Sequence, residues 1–485
     1  MKRLRDILPA EVTKWVGAPD PDIRDIKLDS RQVAPGSLFV AMPGTRVDGH
    51  QYIERAIASG AVAVLCQSLP DELQDHIAYI QVDDVPQMLG RINQKFFDNP
   101  SRKTNLVGVT GTNGKTTIAT LLFQLYSKLG YKVGLISTIE IRIGDRREDA
   151  SHTTPDNITL NQLLKGMVDE GCDYVFMEVS SHALEQQRVA GLYYAGAVFT
   201  NLTHDHLDYH GTFQAYLQAK KKLFDALGKS AFALVNIDDK HGMIMVQNTQ
   251  AKVQTYSLQR PADFKGKIIQ NAIEGLQMQV NRQMIYTRLT GRYNASNLLA
   301  VYGVAILLGQ ADEEVLTAIS ALKPATGRFD VLLDPKQGKT GVIDYAHTPD
   351  ALEKVLQAVR EVRQPGGKII TVVGCGGNRD KTKRPVMARI SALLSDLVVL
   401  TSDNPRDEDP DAIIQDMWNG LNEEEQGGIY RITDRHEAIR IAWQLAKPGD
   451  IVLVAGKGHE TYQEIKGKRY PFDDKAEIIA LISQA

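Results

Sequence analysis

GVTGTNGKTT, Gly108 to Thr117, is the stretch from which the rest of the chain is read. The apolar run Leu106 to Val109 leads into it and an amphipathic segment, Ile118 to Leu129, follows it, so it lies between a strand and a helix. Such a turn can cradle phosphate. Backbone N–H groups of Gly111, Thr112, Asn113 and Gly114 are freed by the glycines and by the helix start, Lys115 adds a mobile positive charge, and Thr116 and Thr117 bring hydroxyls, the first suited to Mg2+. The spacing departs from the usual G-x-x-x-x-G-K-[ST], since Val109 stands where the first glycine belongs. A merely decorative glycine turn is the plain alternative; the strand-turn-helix context favours a loop for a nucleoside triphosphate.

At 485 residues the chain is too long for one core, and about three domains are expected. With 43% hydrophobic and 24% charged residues it reads as an ordinary globular protein. The formal net charge of -3 gives no global attraction to nucleic acid or an anionic membrane, so neither is expected as a partner. Cys66, Cys172 and Cys375 are odd in number and far apart, which fits a reducing compartment without a disulfide framework. MKRLRDILPAEVTKWV lacks the continuous apolar centre of a signal peptide, and no later run is long enough to span a bilayer. A cytoplasmic monomer is the expectation.

The fold class expected is α/β in three domains. Residues 1–99 alternate SLFVAM, AVAVLC and IAYIQV with helical stretches at Tyr52 to Ser59 and Val85 to Phe97, a small α/β domain. Residues 100–326 repeat a strand-then-helix rhythm through YKVGLIST, YVFMEVS, AGAVFTNL and AFALVNI. In Asn157 to Gly171 the positions Leu160, Leu163, Leu164, Met167 and Val168 form one apolar face. This is the grammar of a parallel sheet covered on both sides, with ligands at the carboxyl ends of the strands. There lie Lys115, Thr116, Glu178, His204, Asp205, His206 and Asp208. Residues 327–485 repeat the grammar in TGVIDYAHTPD, KIITVVGCGGNRD, DLVVLTSDNPRDED and IVLVAGKGHE, a second, Rossmann-like doubly wound domain with a polar pocket of both charge signs.

Glu178, His206 and the Thr116 hydroxyl at adjacent strand ends could hold Mg2+ against phosphates. The cluster His204 to His210 also half resembles a zinc-hydrolase signature, but Tyr209 stands where the closing histidine is required; for His210 a structural role is the expectation. Lys220, in AKKKLF, falls on the apolar face of a helical register with Tyr216, Leu217, Leu223 and Phe224. Two readings stay open for it. Its stem can pack along the surface with the ammonium in water, or desolvation can lower its pKa until the neutral amine takes up CO2 as a carbamate. DNPR, Asp403 to Arg406, is by pattern either a surface turn, with Asp403 capping a helix near Asp411, or part of a pocket.

Together these motifs resemble the Mur ligases, the ATP-dependent amino-acid ligases of peptidoglycan assembly. The resemblance runs the length of the chain: LDSR, GTRVDGH, TGTNGKTT, TTPD, EVSSH, HDHLDYH, AKKKLF, GRYNASN, TGRFD, DYAHTPD, GCGGNRD, DNPR and GKGHE. It implies attack of a substrate carboxylate on ATP, an acyl phosphate, and displacement by an incoming amine. It further implies Lys115, Glu178, His206 and Lys220 as catalytic residues, Mg2+ on Thr116 and Glu178, and a second Mg2+ served by His206 and an N6-carboxylated Lys220. Asn294, Asn297, Arg328, Asp344 and His347 match nucleotide-gripping positions. Ser30, Thr45 and Arg46 match uridine-nucleotide contacts, and Thr153, Thr154, Ser180, Gln186 and Arg188 match contacts to a muramoyl-dipeptide. Arg379, Asp403, Asn404, Arg406, Gly456 and Glu460 match a diaminopimelate pocket, DNPR being the signature of the branch that adds this amino acid. A lysine-adding relative, a folylpolyglutamate synthase and a phosphate-loop switch or motor are the alternatives; the front domain and DNPR speak against the synthase, and the polar strand ends of the third domain against the switch.

Overall fold

The computed structural model describes residues 1–10, 12, 14–44, 48–150 and 152–484, and of Asp208 the backbone alone. Its strands near the N-terminus form a five-stranded sheet in the order Lys14–Gly17, Ala78–Gln81, Ala61–Cys66, Ser37–Val40, Asp25–Lys27, parallel except for the first. Alternate residues of Ala61–Cys66 feed two cores, Ala63 and Leu65 on one face and Val64 and Cys66 on the other. Helix Val85–Phe96, started by Asp84 accepting from Gln87 N, covers the first face with Val85, Leu89 and Ile92.

The phosphate-loop stretch sits at the middle of an eleven-stranded sheet. Strand Asn105–Thr110 runs parallel between Tyr174–Glu178 and Gly196–Phe199, flanked further out by Val133–Ile136 and by Phe232–Asn236 and Lys252–Ser257. Helix Lys115–Lys128 packs Ile118, Leu121, Leu122 and Leu125 on it, each worth about 1.5–3 kcal/mol of burial. The parallel centre agrees with the sequence reading. The edges extend it: a hairpin, Glu140–Ile143 with Arg146–Asp149, closes one side, and antiparallel Phe264–Ala272, Gly275–Val280 and Gln283–Thr287 the other. In Gly275–Val280 Leu276, Met278 and Val280 are buried while their neighbours are half-buried, so these strands lack the continuous apolar runs of the centre.

One helix face differs from expectation. In Asn157–Asp169 the buried residues are Asn157, Leu160, Asn161, Leu164 and Met167, with Leu163 and Val168 only half-buried. The two asparagines are buried because the first sheet's helix meets them: Asn93 Nδ2 donates to Asn157 Oδ1 (2.8 Å) and Gln94 Nε2 to Asn161 Oδ1 (2.5 Å). A Cβ at Gly90 would lie 2.3 Å from the Ala190 carbonyl oxygen, so glycine is what lets the two backbones touch.

The third sheet has the order Asp330–Asp334, Lys339–Asp344, Ile451–Ala455, Ile369–Val373, Leu397–Leu400, Ile429–Arg431 and is parallel after the first pair. Helices Pro349–Val362, Lys383–Leu394 and Pro410–Trp418 cover one face, Arg435–Leu445 and Asp474–Ser483 the other. The doubly wound reading therefore holds, and four neighbouring strands end in the four quoted loops. Among the described residues no helix is long and apolar enough to cross a membrane.

Candidate active site

The turn at Gly111 to Gly114 is tight because its neighbours leave no room. Gly111 (φ +151°) and Gly114 (φ +89°) would place a Cβ 1.8 Å from Thr200 Oγ1 and 2.7 Å from Asn297 Oδ1. Lys115 Nζ folds back to donate to the carbonyls of Gly111 (2.9 Å) and Thr112 (2.8 Å). Lys220, on helix Phe213–Asp225, donates to the same Gly111 carbonyl at 2.8 Å and is 1% exposed. The snorkelling reading of Lys220 is thus overturned: its ammonium is inside, 4.7 Å from the centre of the Tyr216 ring. Burial lowers the pKa of both lysines, Lys220 well below its ordinary value, with Lys115 as the second cause there. Tyr216, which the sequence reading noted only as apolar filling, also sets the loop, its hydroxyl 3.0 Å from Thr112 Oγ1.

Thr116 Oγ1 donates to Glu178 Oε2 (2.9 Å), and the other carboxylate oxygen accepts from Thr138 N (2.7 Å). A buried hydroxyl and a buried carboxylate side by side are hard oxygen donors of the kind Mg2+ takes, with phosphate and water completing its shell. His206 takes φ +54° before the short helix Leu207–His210, and its Nε2 is 3.4 Å from Asp205 Oδ2. It packs against His182 (ring centres 4.8 Å apart), a member of EVSSH not singled out from sequence. His210 is 3.0 Å from Ser181 Oγ, in keeping with a structural role. Among the described residues no three His, Cys, Asp or Glu side chains group to hold a metal; His204 is exposed, and the side chain of Asp208 lies outside the description.

The nucleotide-gripping candidates meet the loop from outside the central strands. Asn294 and Asn297, both buried on helix Arg292–Leu307, are hydrogen-bonded together (3.3 Å), and Asn297 stands over Gly114. Arg328 Nη2 donates to Thr116 Oγ1 (3.2 Å), and its guanidinium lies 4.5 Å from the Tyr345 ring centre. Asp344 accepts from Phe329 N (2.7 Å), and burial raises its pKa to about 6. His347, with Nδ1 2.9 Å from the Tyr345 carbonyl, is pushed down to about 4, chiefly by burial. Asp350 was missed. Its Oδ2 accepts from Asn113 Nδ2 (2.7 Å) and Thr203 Oγ1 (3.1 Å), fastening a helix of the third sheet to the phosphate loop.

A second group adjoins Glu178. Thr154 Oγ1 donates to the Glu178 carbonyl (2.9 Å) and accepts from Ser180 N (3.1 Å), Arg188 Nη1 donates to the Thr154 carbonyl (3.0 Å), and Arg188 Nη2 to Gln186 Oε1 (2.6 Å). Thr153 Oγ1 accepts from Thr138 Oγ1 (3.0 Å). Five dipeptide candidates are thereby brought beside the phosphate loop. Ser30 is buried apart from them in the turn Ser30–Gln32 of the first sheet, and Thr45 and Arg46 lie outside the described residues.

The third group lies on the loops after Leu397–Leu400 and Ile451–Ala455. DNPR is no exposed cap: Asp403 and Asn404 are buried, and Asp409 caps helix Pro410–Trp418 instead. Gly456 (φ +120°) would bring a Cβ 2.7 Å from Asp403 Oδ2. Asn404 Nδ2 donates to Glu460 Oε2 (2.8 Å). Arg406, at φ +51°, donates from Nη1 to the Gly377 carbonyl (2.8 Å); a Cβ on Gly376 would sit 3.0 Å from that Nη1 and 3.9 Å from Arg379 Cγ, so both guanidinium side chains flank this glycine, Arg379 being exposed. Tyr345 links this pocket to the other, its ring stacked near Arg328 and 4.9 Å from that of His459, next to Glu460.

A phosphate loop with buried lysines, joined through Arg328 and Tyr345 to a pocket of both charge signs on a second doubly wound sheet, is the architecture of a nucleotide-binding protein with a separate site for a charged small molecule. Family models agree with that architecture: the Mur ligase family catalytic domain matches residues 22–97, the Mur ligase middle domain 109–305, and the Mur ligase glutamate ligase domain 327–458. A protein of Phocaeicola vulgatus named UDP-N-acetylmuramoyl-L-alanyl-D-glutamate--2,6-diaminopimelate ligase is 54% identical over 98% of both chains. The protein of the same name from Bacteroides thetaiotaomicron is 55% identical over 97% of each. A solved structure carrying that name superposes with a TM-score of 0.69 at 34% identity over 95% of each chain. The chain belongs to the Mur ligase family.

Proposed function

We propose that this protein is the ATP-dependent ligase that adds meso-diaminopimelate to UDP-N-acetylmuramoyl-L-alanyl-D-glutamate, a cytoplasmic step of peptidoglycan precursor synthesis that serves cell shape and division. The observation that supports the reading is the run of contacts from Thr116 through Arg328 and Tyr345 to His459, beside Glu460, which joins the phosphate loop to the pocket of the third sheet. The whole-length kinship to diaminopimelate ligases supports it. Three domains, 1–99 for the uridine nucleotide, 100–326 for ATP and 327–485 for the amino acid, are the corresponding division.

In this reading the dipeptide's terminal carboxylate attacks the γ-phosphorus; a P–O bond forms, the bond to ADP breaks, and the acyl phosphate results. Negative charge grows on the phosphoryl oxygens, and Lys115, which leaves the Gly111 and Thr112 carbonyls to do so, and Arg328, beside Thr116, offset it. Gly111, Thr112, Asn113, Gly114, Thr116 and Thr117 cradle the phosphates, while Asn294, Asn297, Asp344 and His347 hold the nucleoside. Thr116 and Glu178 would hold one Mg2+ and His206 and Lys220 would serve a second, and ions bound there would neutralise charge on the phosphates. Lys220, with its lone pair favoured by burial, forms an N–C bond to CO2 and releases a proton, becoming the carboxylated lysine. Ser30, Thr45 and Arg46 contact the uridine nucleotide, and Thr153, Thr154, Ser180, Gln186 and Arg188 hold the dipeptide. Arg379, Asp403, Asn404, Arg406, Gly456 and Glu460 take the amino acid, whose free amine then displaces phosphate. The protein acts as a monomer on small molecules.

Phosphate release from ATP tests the reaction class. The ligase reading requires that release depend on both the uridine-nucleotide acceptor and diaminopimelate; release with neither present would instead mark a switch or motor.

A further inference from the structure

Lys457, the lysine of GKGHE, holds a place that none of the residues assigned above explains. Its side chain is fully buried (0% exposed). Nζ donates to Asn404 Oδ1 at 3.0 Å and to Glu460 Oε2 at 3.3 Å and stands 3.6 Å from Asp403 Oδ1. All three partners belong to the amino-acid pocket. A buried ammonium is costly unless carboxylates compensate it, and two carboxylates brought together are costly unless a cation stands between them; here each solves the other's problem. Asn404 is fixed as well, since its Oδ1 accepts from both Lys457 and Glu464 N (2.9 Å), which turns its Nδ2 to Glu460.

We propose that Lys457 is a positioning residue, the internal counter-ion that stands between Asp403 and Glu460 and keeps Asn404 oriented so that the pocket receives an ammonium group of the incoming amino acid. The proposal rests on the amino-acid pocket assigned above. Being enclosed, Lys457 acts through its partners and not by touching substrate. With Lys457 the trio carries one net negative charge, which one substrate ammonium cancels; without it two carboxylates face each other and one takes up a proton. Glu460 is the member poised to do so, because burial and then repulsion from Asp403 already raise its pKa. The charged and titratable groups facing it are Asp403 from the 401–406 loop, Lys457 and Tyr462 from its own segment, Tyr345 after the Lys339–Asp344 strand, and Arg435, which Asp474 neutralises; Arg406 and Glu464, paired with each other, lie beyond Tyr462.

The test is KM for meso-diaminopimelate, ATP and the uridine-nucleotide acceptor between about pH 6.5 and 9 in wild type, K457M, K457Q and K457M/E460Q. K457M is expected to raise KM for the amino acid roughly a hundredfold near neutrality, with KM for ATP changed less than about threefold. The rise should shrink toward pH 9 as Glu460 ionises, and K457M/E460Q should lose that recovery. K457Q, which keeps hydrogen bonding without the charge, should follow K457M and carries the test if K457M does not fold. An unchanged KM, an equal rise for all three substrates, a rise indifferent to pH, or loss of the fold in both single variants would overturn the proposal. A wild-type enzyme that takes lysine in place of diaminopimelate, with variants losing it in the same pH-dependent way, would overturn the substrate assignment and leave the role of Lys457 standing.

Discussion

The two ends of the site treat buried charge in opposite ways. At the phosphate loop the amino groups of Lys115 and Lys220 converge on the one carbonyl of Gly111, and the bonds they make are to backbone oxygens. At the amino-acid pocket Lys457 sits among Asp403, Asn404 and Glu460, and charge is nearly balanced from within. A lysine ammonium held by neutral acceptors is a site to be completed by a polyanion; a nearly balanced cluster with one spare negative charge receives an ammonium, and the neighbouring Arg406 suits the second carboxylate that sets diaminopimelate apart from lysine. The contrast teaches why a single chain can bind ATP and an amino acid side by side without the two exchanging places.

Breaking the cationic end should have the largest effect. Lys115→Ala is expected to lower turnover at saturating ATP by roughly a hundred- to a thousand-fold, because its ammonium meets charge that grows in the transition state. Activity within about threefold of wild type would remove Lys115 from the chemical step. Lys220→Ala should come next. If the lysine works as a carbamate, activity falls and a small added carboxylic acid partly restores it. Intact mass under CO2-replete conditions checks the modification itself: an unmodified Lys220 there would contradict it.

At the other end the effects are selective. Arg406→Ala should lose most of its kcat/KM for diaminopimelate while KM for ATP is preserved, since Arg can pair a carboxylate through two parallel hydrogen bonds. Arg406 stands at φ +51° with Nη1 on the Gly377 carbonyl and Nε 3.6 Å from Glu464 Oε2. An equal loss for diaminopimelate and lysine would show that Arg406 shapes the loop without reading the substrate.

The smallest expected effect sharpens the comparison through stability. Asp344 is a buried acid raised from 3.8 to about 6, mainly by desolvation. Its folded form holds the proton more tightly than the unfolded chain, so the stability it contributes is full below about pH 3.8 and is lost as pH rises through about 6. Asp344→Asn should therefore stabilise the fold at pH 8 by about 1–3 kcal/mol, read as a raised Tm, and the gain should vanish near pH 4. A gain independent of pH would mean that the charge is not the cause. Weaker nucleotide binding in the same variant would be the functional cost of that stability.

Much of this was legible in the sequence because it lies on central strands. Asn105–Thr110 and Tyr174–Glu178 are apolar through their centres, so the polar residues that end them stand out at once. The strands from Lys252 to Thr287 escaped because they expose one face and carry Lys and Gln between apolar residues. Asn157 and Asn161 spoil an apolar stripe for a reason that lives on another domain, the hydrogen bonds to Asn93 and Gln94. Lys457, Asp350 and Tyr216 were hidden differently. Burial of a lysine, or the reach of one carboxylate to Asn113 across 237 positions, is a property of tertiary contact that local pattern does not carry. The signal for Lys457 was present in GKGHE, where an ammonium lies between two close-approach glycines and three residues before Glu460.

The account turns on what the balanced pocket selects, and one measurement addresses that most directly: kcat/KM of the wild-type enzyme for meso-diaminopimelate and for lysine, with ATP and UDP-N-acetylmuramoyl-L-alanyl-D-glutamate saturating and the product identified by mass. A site built to pair a polar group can reject an analogue lacking it by as much as roughly ten-thousandfold, so diaminopimelate should be favoured by roughly a thousandfold or more. Equal use of the two amino acids, or a preference for lysine, would contradict the assignment.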